Sequence, residues 1–284
     1  MKYVIVSKND FLGTSNNDIP NPLMVTEIAT ELIITRLYLL DQYKLGNITQ
    51  DDTIVCIEDR KCLYTNIFKN VISYDEYKKI TGENEVLDLL NVNLFNRMAS
   101  GSMDSRLIPY KPFYKNWERD KDLITNLTKS DISKYDVSKP FICLVIRKRG
   151  AWGEKNMSDG FWFELIKKLK DNDIKTFVFG KETKHFCDDE SVEYVENYQD
   201  WCTLVSNKNC KHISSTMSGG VYPAMIFGNT EIKLTIIDNT KLMAKHSGDP
   251  SFYDDCVNFT KVKFYFINEI PKIEDYYEKI TEDL

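Results

Sequence analysis

Arg147, Lys148 and Arg149 follow a short apolar run, Phe141 to Ile146, and Gly150 closes the triplet. Further along, Ser214-Ser215-Thr216-Met217-Ser218-Gly219-Gly220 stands between a second strand-like run and an apolar helix. In a parallel α/β sheet, strand carboxyl ends and helix amino ends face one crevice. Cations and a donor-rich small-residue turn feeding that crevice suit a phosphorylated ligand, since both favour negative charge. Arg147, Arg149, Thr216, Ser218, Gly219 and Gly220 are therefore candidate phosphate-binding residues. Lys155 opens the next helix, where the helix dipole disfavours a lysine unless an anion lies nearby. Glu182, just after Gly180, is placed to accept hydrogen bonds from ribose hydroxyls. Each feature has a plainer reading, a solvated turn, an ordinary N-cap or a surface glutamate. Their convergence on one crevice favours the ligand.

Two further groups could contribute proton transfer or stacking. The loop after the first strand offers Asp18 and Asp10 as carboxylate bases, although either could be a turn-forming Asx residue. Between Arg106 and Lys121, basic side chains interleave with Tyr110, Tyr114 and Trp117, whose faces could stack on a sugar or a base. Packing at an interdomain seam is the competing account of those aromatics.

These residues need a scaffold of alternating strands and helices. Strands are expected at 3–6, 53–57, 70–73, 141–146, 175–179, 211–214 and 232–237. Helices are expected over 23–43, 159–171, 199–206, 219–227 and 273–280, from apolar spacing at three and four residues. The fold class is α/β, with two Rossmann-like domains facing across a cleft. The expected boundaries are 1–130 for an amino-terminal domain and 138–270 for a carboxyl-terminal domain that carries the phosphate-binding candidates. Residues 271–284 form a terminal helix expected to pack back on the amino-terminal domain.

The 284 residues carry a net charge of −6, which argues against broad electrostatic binding to nucleic acid or acidic membranes. Seven scattered cysteines without a Cys-x-x-Cys pair suit a reducing compartment. The apolar run near Met1 is too short for a signal peptide, and no stretch is long enough for a membrane span. A cytoplasmic location is expected, the host cytoplasm if the source is viral. Metal readings fare poorly. Asp171-Asn172-Asp173 reads as a helix-to-strand turn, and the spacing of His185, Cys187, Cys210 and His212 fits structural zinc badly.

The stretch 141–228 resembles the nucleotide-sugar-binding half of GT-B glycosyltransferases. Arg147, Lys155, the strand ending in Phe179-Gly180-Lys181-Glu182, and the Ser-Gly turn with Ala224 and Gly228 are similar to the heptosyltransferase-like pattern. Ile146-Arg147-Lys148-Arg149-Gly150 and Ser215-Thr216-Met217-Ser218 also resemble donor motifs of GDP-fucose-dependent fucosyltransferases. The chain departs from these patterns at Met217, where an aspartate is usual, at Tyr222, where a histidine is usual, and at Thr14 after Leu12-Gly13. The resemblance implies transfer of a sugar from a nucleoside-diphosphate sugar to a hydroxyl of a glycan or other acceptor, without a metal or other cofactor. The lysine, the arginine and the Ser-Gly turn would hold the diphosphate. Two alternatives stay open, a 2-epimerase-like isomerase and a non-catalytic nucleotide-sugar-binding module. Nucleic acid is disfavoured as a partner, with a modified DNA base the one acceptor of that kind considered.

Overall fold

The computed structural model describes residues 3–7, 31–32, 36–82, 122–148, 157–180, 183–188, 190–216, 218–229, 231–237, 263–267 and 272–284. Two compact units divide the chain, Met1–Thr128 and Lys129–Leu284.

In the first unit, β1 (Tyr3–Ile5), β2 (Thr53–Cys56) and β3 (Asn70–Ser73) form a parallel sheet in that order. All four residues of β2 are buried, as a central strand covered on both faces requires. Helix α1 (Arg36–Lys44) precedes β2, and α2 (Tyr74–Thr81) follows β3 directly. The buried Arg36 guanidinium donates to the carbonyls of Leu63, Ile124 and Asn126, tying the unit's last segment to its first half. Helix α2 starts at a capping box: Ser73 Oγ accepts from Glu76 N (3.1 Å), while Ser73 N donates to Glu76 Oε2 (2.6 Å). Ser73→Ala removes one arm of that box and is expected to cost about 1 kcal/mol in urea unfolding. An unchanged midpoint would show the box to be dispensable.

The second unit is built on six parallel strands: β4 (Phe141–Val145), β5 (Lys175–Phe179), β6 (Val192–Tyr194), β7 (Cys210–Thr216), β8 (Lys233–Ile237) and β9 (Lys263–Ile267). Their spatial order is β6-β5-β4-β7-β8-β9. Counted within the unit this is 3-2-1-4-5-6, the doubly wound order, and the direction of winding reverses between β4 and β7. Helix α3 (Asp159–Asp171) follows β4, α4 (Tyr198–Val205) follows β6, α5 (Tyr222–Phe227) follows β7, and α6 (Ile273–Thr281) ends the chain.

Strand alternation sorts the core onto two faces. Ile142, Leu144, Ile146 and Val178 pack with Trp162, Leu165 and Leu169 of α3 and with Ile273, Tyr276 and Ile280 of α6. Phe141, Val145, Phe177 and Phe179 point the other way, toward Tyr135, Trp201 and Gly220. The terminal helix has its buried face on α3 and β7 of its own unit. Tyr276 Oη meets Ser214 Oγ of β7, and Lys168 of α3 pairs with Glu274. An apolar stripe with polar partners already waiting on α3 and β7 explains that choice.

His212 of β7 is buried on this face, its Nε2 2.7 Å from Thr235 Oγ1. Burial, with Lys233 adding repulsion, pushes its pKa down to about 3. Above the unfolded value near 6.5 both states are neutral there, so the group adds no pH dependence. As pH falls from about 6.5 toward about 3, the unfolded chain binds the proton first, and stability drops by about 1.4 kcal/mol per pH unit. His212→Gln should flatten that part of the acid-denaturation curve. An unaltered slope would show that His212 does not set it.

Candidate functional site

The carboxyl ends of β4 and β7 flank the point where strand order reverses, the position at which ligands bind in doubly wound sheets. Beyond β4 the ladder continues for one residue, with Ile146 N donating to Phe179 O at 3.1 Å. Alternation then carries Arg147 to the face of Val145. Arg147 is 8% exposed. Lys148 alternates to the α3 face, where its ammonium donates to Asp159 Oδ2 at 2.7 Å and lies over the Phe186 ring. Of the basic triplet, Lys148 therefore lies on the α3 face against the first turn of α3, and Arg147 is buried on the opposite face. Arg149 lies outside the described residues.

Across the switch point, β7 runs further than its polar composition suggested, through Thr216. Ser214 and Ser215 sit inside the strand because their hydroxyls are satisfied within the sheet and by α6, with Ser215 Oγ donating to Val145 O at 3.0 Å. Thr216 is also fully buried, yet its Oγ1 has no hydrogen-bond partner. An orphaned buried hydroxyl costs about 1–3 kcal/mol, and groups of this kind call for a ligand or an ordered water.

After Thr216 the chain enters a 3₁₀ turn, Gly219–Val221, and only then α5. Ser218 Oγ accepts from Gly220 N at 3.4 Å, while the amides of Val221 and Tyr222 donate to Ser218 O and Gly219 O. Among the described residues this leaves the amides of Ser218 and Gly219 without a protein acceptor. Sequence reasoning expected the glycines to allow a ligand to approach closely. At Gly220 the cause is packing: a Cβ there would stand 2.7 Å from Val145 Cγ1 and 3.3 Å from Phe179. The turn is pressed against the ends of β4 and β5, on the face that carries Arg147. Arg147, Ser218, Gly219 and Gly220 thus share one sheet edge and one face, whereas Thr216 borders the same edge from the α3 side.

Two residues not named above as site candidates contribute to this edge. Gly180 follows β5 with φ +151°, and its carbonyl accepts from Thr183 Oγ1 (2.7 Å) and Tyr194 Oη (3.1 Å). Trp201 of α4 donates from Nε1 to Gly220 O at 2.9 Å and stacks flat on Phe179. Glycine after a strand was a visible signal. Nothing in the spacing linked Trp201 to Gly220. Asp10, Asp18, Tyr110, Tyr114, Trp117, Lys155 and Glu182 all lie outside the described residues.

Among the described residues no group of three or more His, Cys, Asp or Glu is arranged to hold a metal ion. His185 is 4.0 Å from Asp159, and Cys210 Sγ is 3.8 Å from Cys143 Sγ. Asn172 and Asp173 form the turn between α3 and β5. No described helix is long and apolar enough to cross a membrane.

Fold and site together define a doubly wound α/β unit whose switch-point crevice carries a buried cation and a glycine turn. No protein-family model matches the chain, and no curated protein sequence matches it. Among solved structures it is similar to E. coli heptosyltransferase WaaC with ADP, at TM-score 0.49 and 11% identity over 100% of this chain and 99% of that one. It is also similar to E. coli ADP-heptose lps heptosyltransferase II, at TM-score 0.47 and 12% identity over 93% of this chain and 90% of that one. WaaC with ADP-2-deoxy-2-fluoro heptose gives TM-score 0.41 and 10% identity over 84% and 89% of the two chains. Likenesses this distant stand as observations, and the functional reading rests on the site itself.

Proposed function

We propose that the chain is a glycosyltransferase that moves a sugar from a nucleoside-diphosphate sugar to an acceptor hydroxyl. The donor diphosphate lies at the carboxyl edge of β4 and β7. One observation carries this reading: the buried Arg147 and the Ser218-Gly219-Gly220 turn converge on one face of the switch point of a 3-2-1-4-5-6 sheet. Phosphate suits that spot because a guanidinium in low dielectric and amides without acceptors both gain from an anion. The motifs that resemble GT-B donor domains are the same residues.

Sugar transfer breaks the bond between the anomeric carbon and the diphosphate oxygen, leaving negative charge on the departing group. Arg147 and the turn amides would stabilise that charge as it develops, and Lys155 would add to them. This assigns leaving-group stabilisation to side chains and amides rather than to a divalent ion. A carboxylate base, Asp18 or else Asp10, would take the proton of the attacking hydroxyl. The acceptor is proposed to contact Tyr110, Tyr114 and Trp117.

The test is a thermal-shift screen with ADP, GDP, UDP, CDP and dTDP, followed by transfer assays using the matching sugar nucleotides in the presence of EDTA. Stabilisation by one diphosphate and chelator-resistant release of that diphosphate support the proposal. Absence of any shift at millimolar ligand would sink it. Product analysis separates transfer from 2-epimerisation, and binding without turnover would favour the non-catalytic module.

A further inference from the structure

We propose that Trp201 is a positioning residue for the diphosphate site: it sets the geometry of the Gly219–Gly220 turn without touching the ligand. The inference rests on the reading above. Trp201 is fully buried, and its indole N–H is spent on a single acceptor, Gly220 O, at 2.9 Å. That carbonyl shares its peptide plane with the Val221 amide, which donates to Ser218 O, and Ser218 O lies in the plane of the Gly219 amide, so the bond from Trp201 steadies that amide through the turn. The indole cannot swing, because it stacks on Phe179 with ring centroids 4.9 Å apart and planes 7° from parallel. Phe179 is the last residue of β5, and it also limits what Gly220 could carry. Turn, strand end and indole are therefore one packed unit.

Helix α4, which bears Trp201, is pinned from its other side by the segment opening the unit. Tyr135 Oη donates to Asp200 Oδ2 at 3.0 Å, Lys134 Nζ lies 2.6 Å from the same oxygen, and Ser130 N donates to Thr203 Oγ1 at 3.0 Å. Asn197 caps the helix by accepting from Asp200 N at 2.7 Å. The residues immediately before and two after Trp201 are thus anchored, and the indole N–H is delivered to Gly220 from a fixed base. Preorganised donors of this kind cost no rearrangement when an anion arrives. Phenylalanine at 201 would keep an aromatic ring against Phe179 while losing the hydrogen bond and part of the buried indole volume.

The experiment compares wild type with Trp201→Phe by NMR titration, using the best-bound diphosphate among ADP, GDP, UDP and CDP and its parent nucleoside. The expected result is a roughly tenfold weaker affinity of Trp201→Phe for the diphosphate, as for loss of one buried hydrogen bond, with nucleoside affinity unchanged. In wild type, the indole N–H resonance that Trp201→Phe deletes should shift as diphosphate is added. Wild-type diphosphate affinity in a folded Trp201→Phe would overturn the inference, as would an equal loss for nucleoside and diphosphate. If the variant fails to fold, the wild-type indole decides: a resonance unmoved at saturation overturns the proposal. A wild type that binds no nucleoside diphosphate defeats the functional reading itself, and this inference with it.

Discussion

Arg147→Ala is expected to weaken nucleoside-diphosphate binding by roughly ten- to a hundredfold, the usual cost of removing a hydrogen bond to a charged group. Arg147 is the buried cation at the switch point, and its burial keeps water from screening its charge. Arg147→Lys keeps the charge but loses the planar fork, so an intermediate loss is expected. Lys148→Ala is the control. Its ammonium lies on the α3 face in a partly exposed ion pair with Asp159, and the affinity should change by less than about threefold. Isothermal titration calorimetry checks all three, with circular dichroism to confirm folding. Equal affinities for Arg147→Ala and wild type would remove the diphosphate from this edge. A larger loss at Lys148 than at Arg147 would show that the ligand approaches from the α3 face.

Gly180→Ala is expected to be the most damaging small substitution in the second unit. Its φ of +151° lies where L residues are strained, and an added Cβ would stand 2.2 Å from Ile146 O. That atom is main chain and cannot rotate aside. Relief requires the end of β4 to move, which breaks the Ile146 N to Phe179 O bond and displaces Arg147. Strain and clash together should cost about 3–5 kcal/mol. Urea unfolding measures the loss, and diphosphate affinity should fall with it, since Arg147 rides on the displaced segment. A cost under about 1 kcal/mol would mean that the β4 and β5 ends are less tightly joined than their packing indicates.

The central part of the second unit was readable because several signals agreed there. Phe141 to Val145 and Lys175 to Phe179 are short runs rich in β-branched and aromatic residues, and Ser158 caps a helix whose buried positions recur at helical spacing. Polar residues misled where tertiary partners satisfied them. Ser215 read as loop, yet it lies within β7 because its hydroxyl donates across the sheet to Val145 O. Strand β6, three residues at the sheet edge, is too short to display alternation, and β9 was missed as well. Helix α2 carried a legible Ser73-x-x-Glu76 signature within a stretch of weak apolar periodicity. At the site, Arg147 and the glycine turn were legible from residue type and position. The reason for Gly220 was not, since the side chains that require it, Val145 and Phe179, are remote in sequence.

The most direct test of the switch-point site is a crystal structure of the chain with a nucleoside diphosphate. The expected result places the β-phosphate within hydrogen-bond distance of the Arg147 guanidinium and the Ser218 and Gly219 amides, at the carboxyl ends of β4 and β7. A diphosphate bound at any other edge of the six-stranded sheet, with Arg147 and the turn as they stand here, would contradict the account.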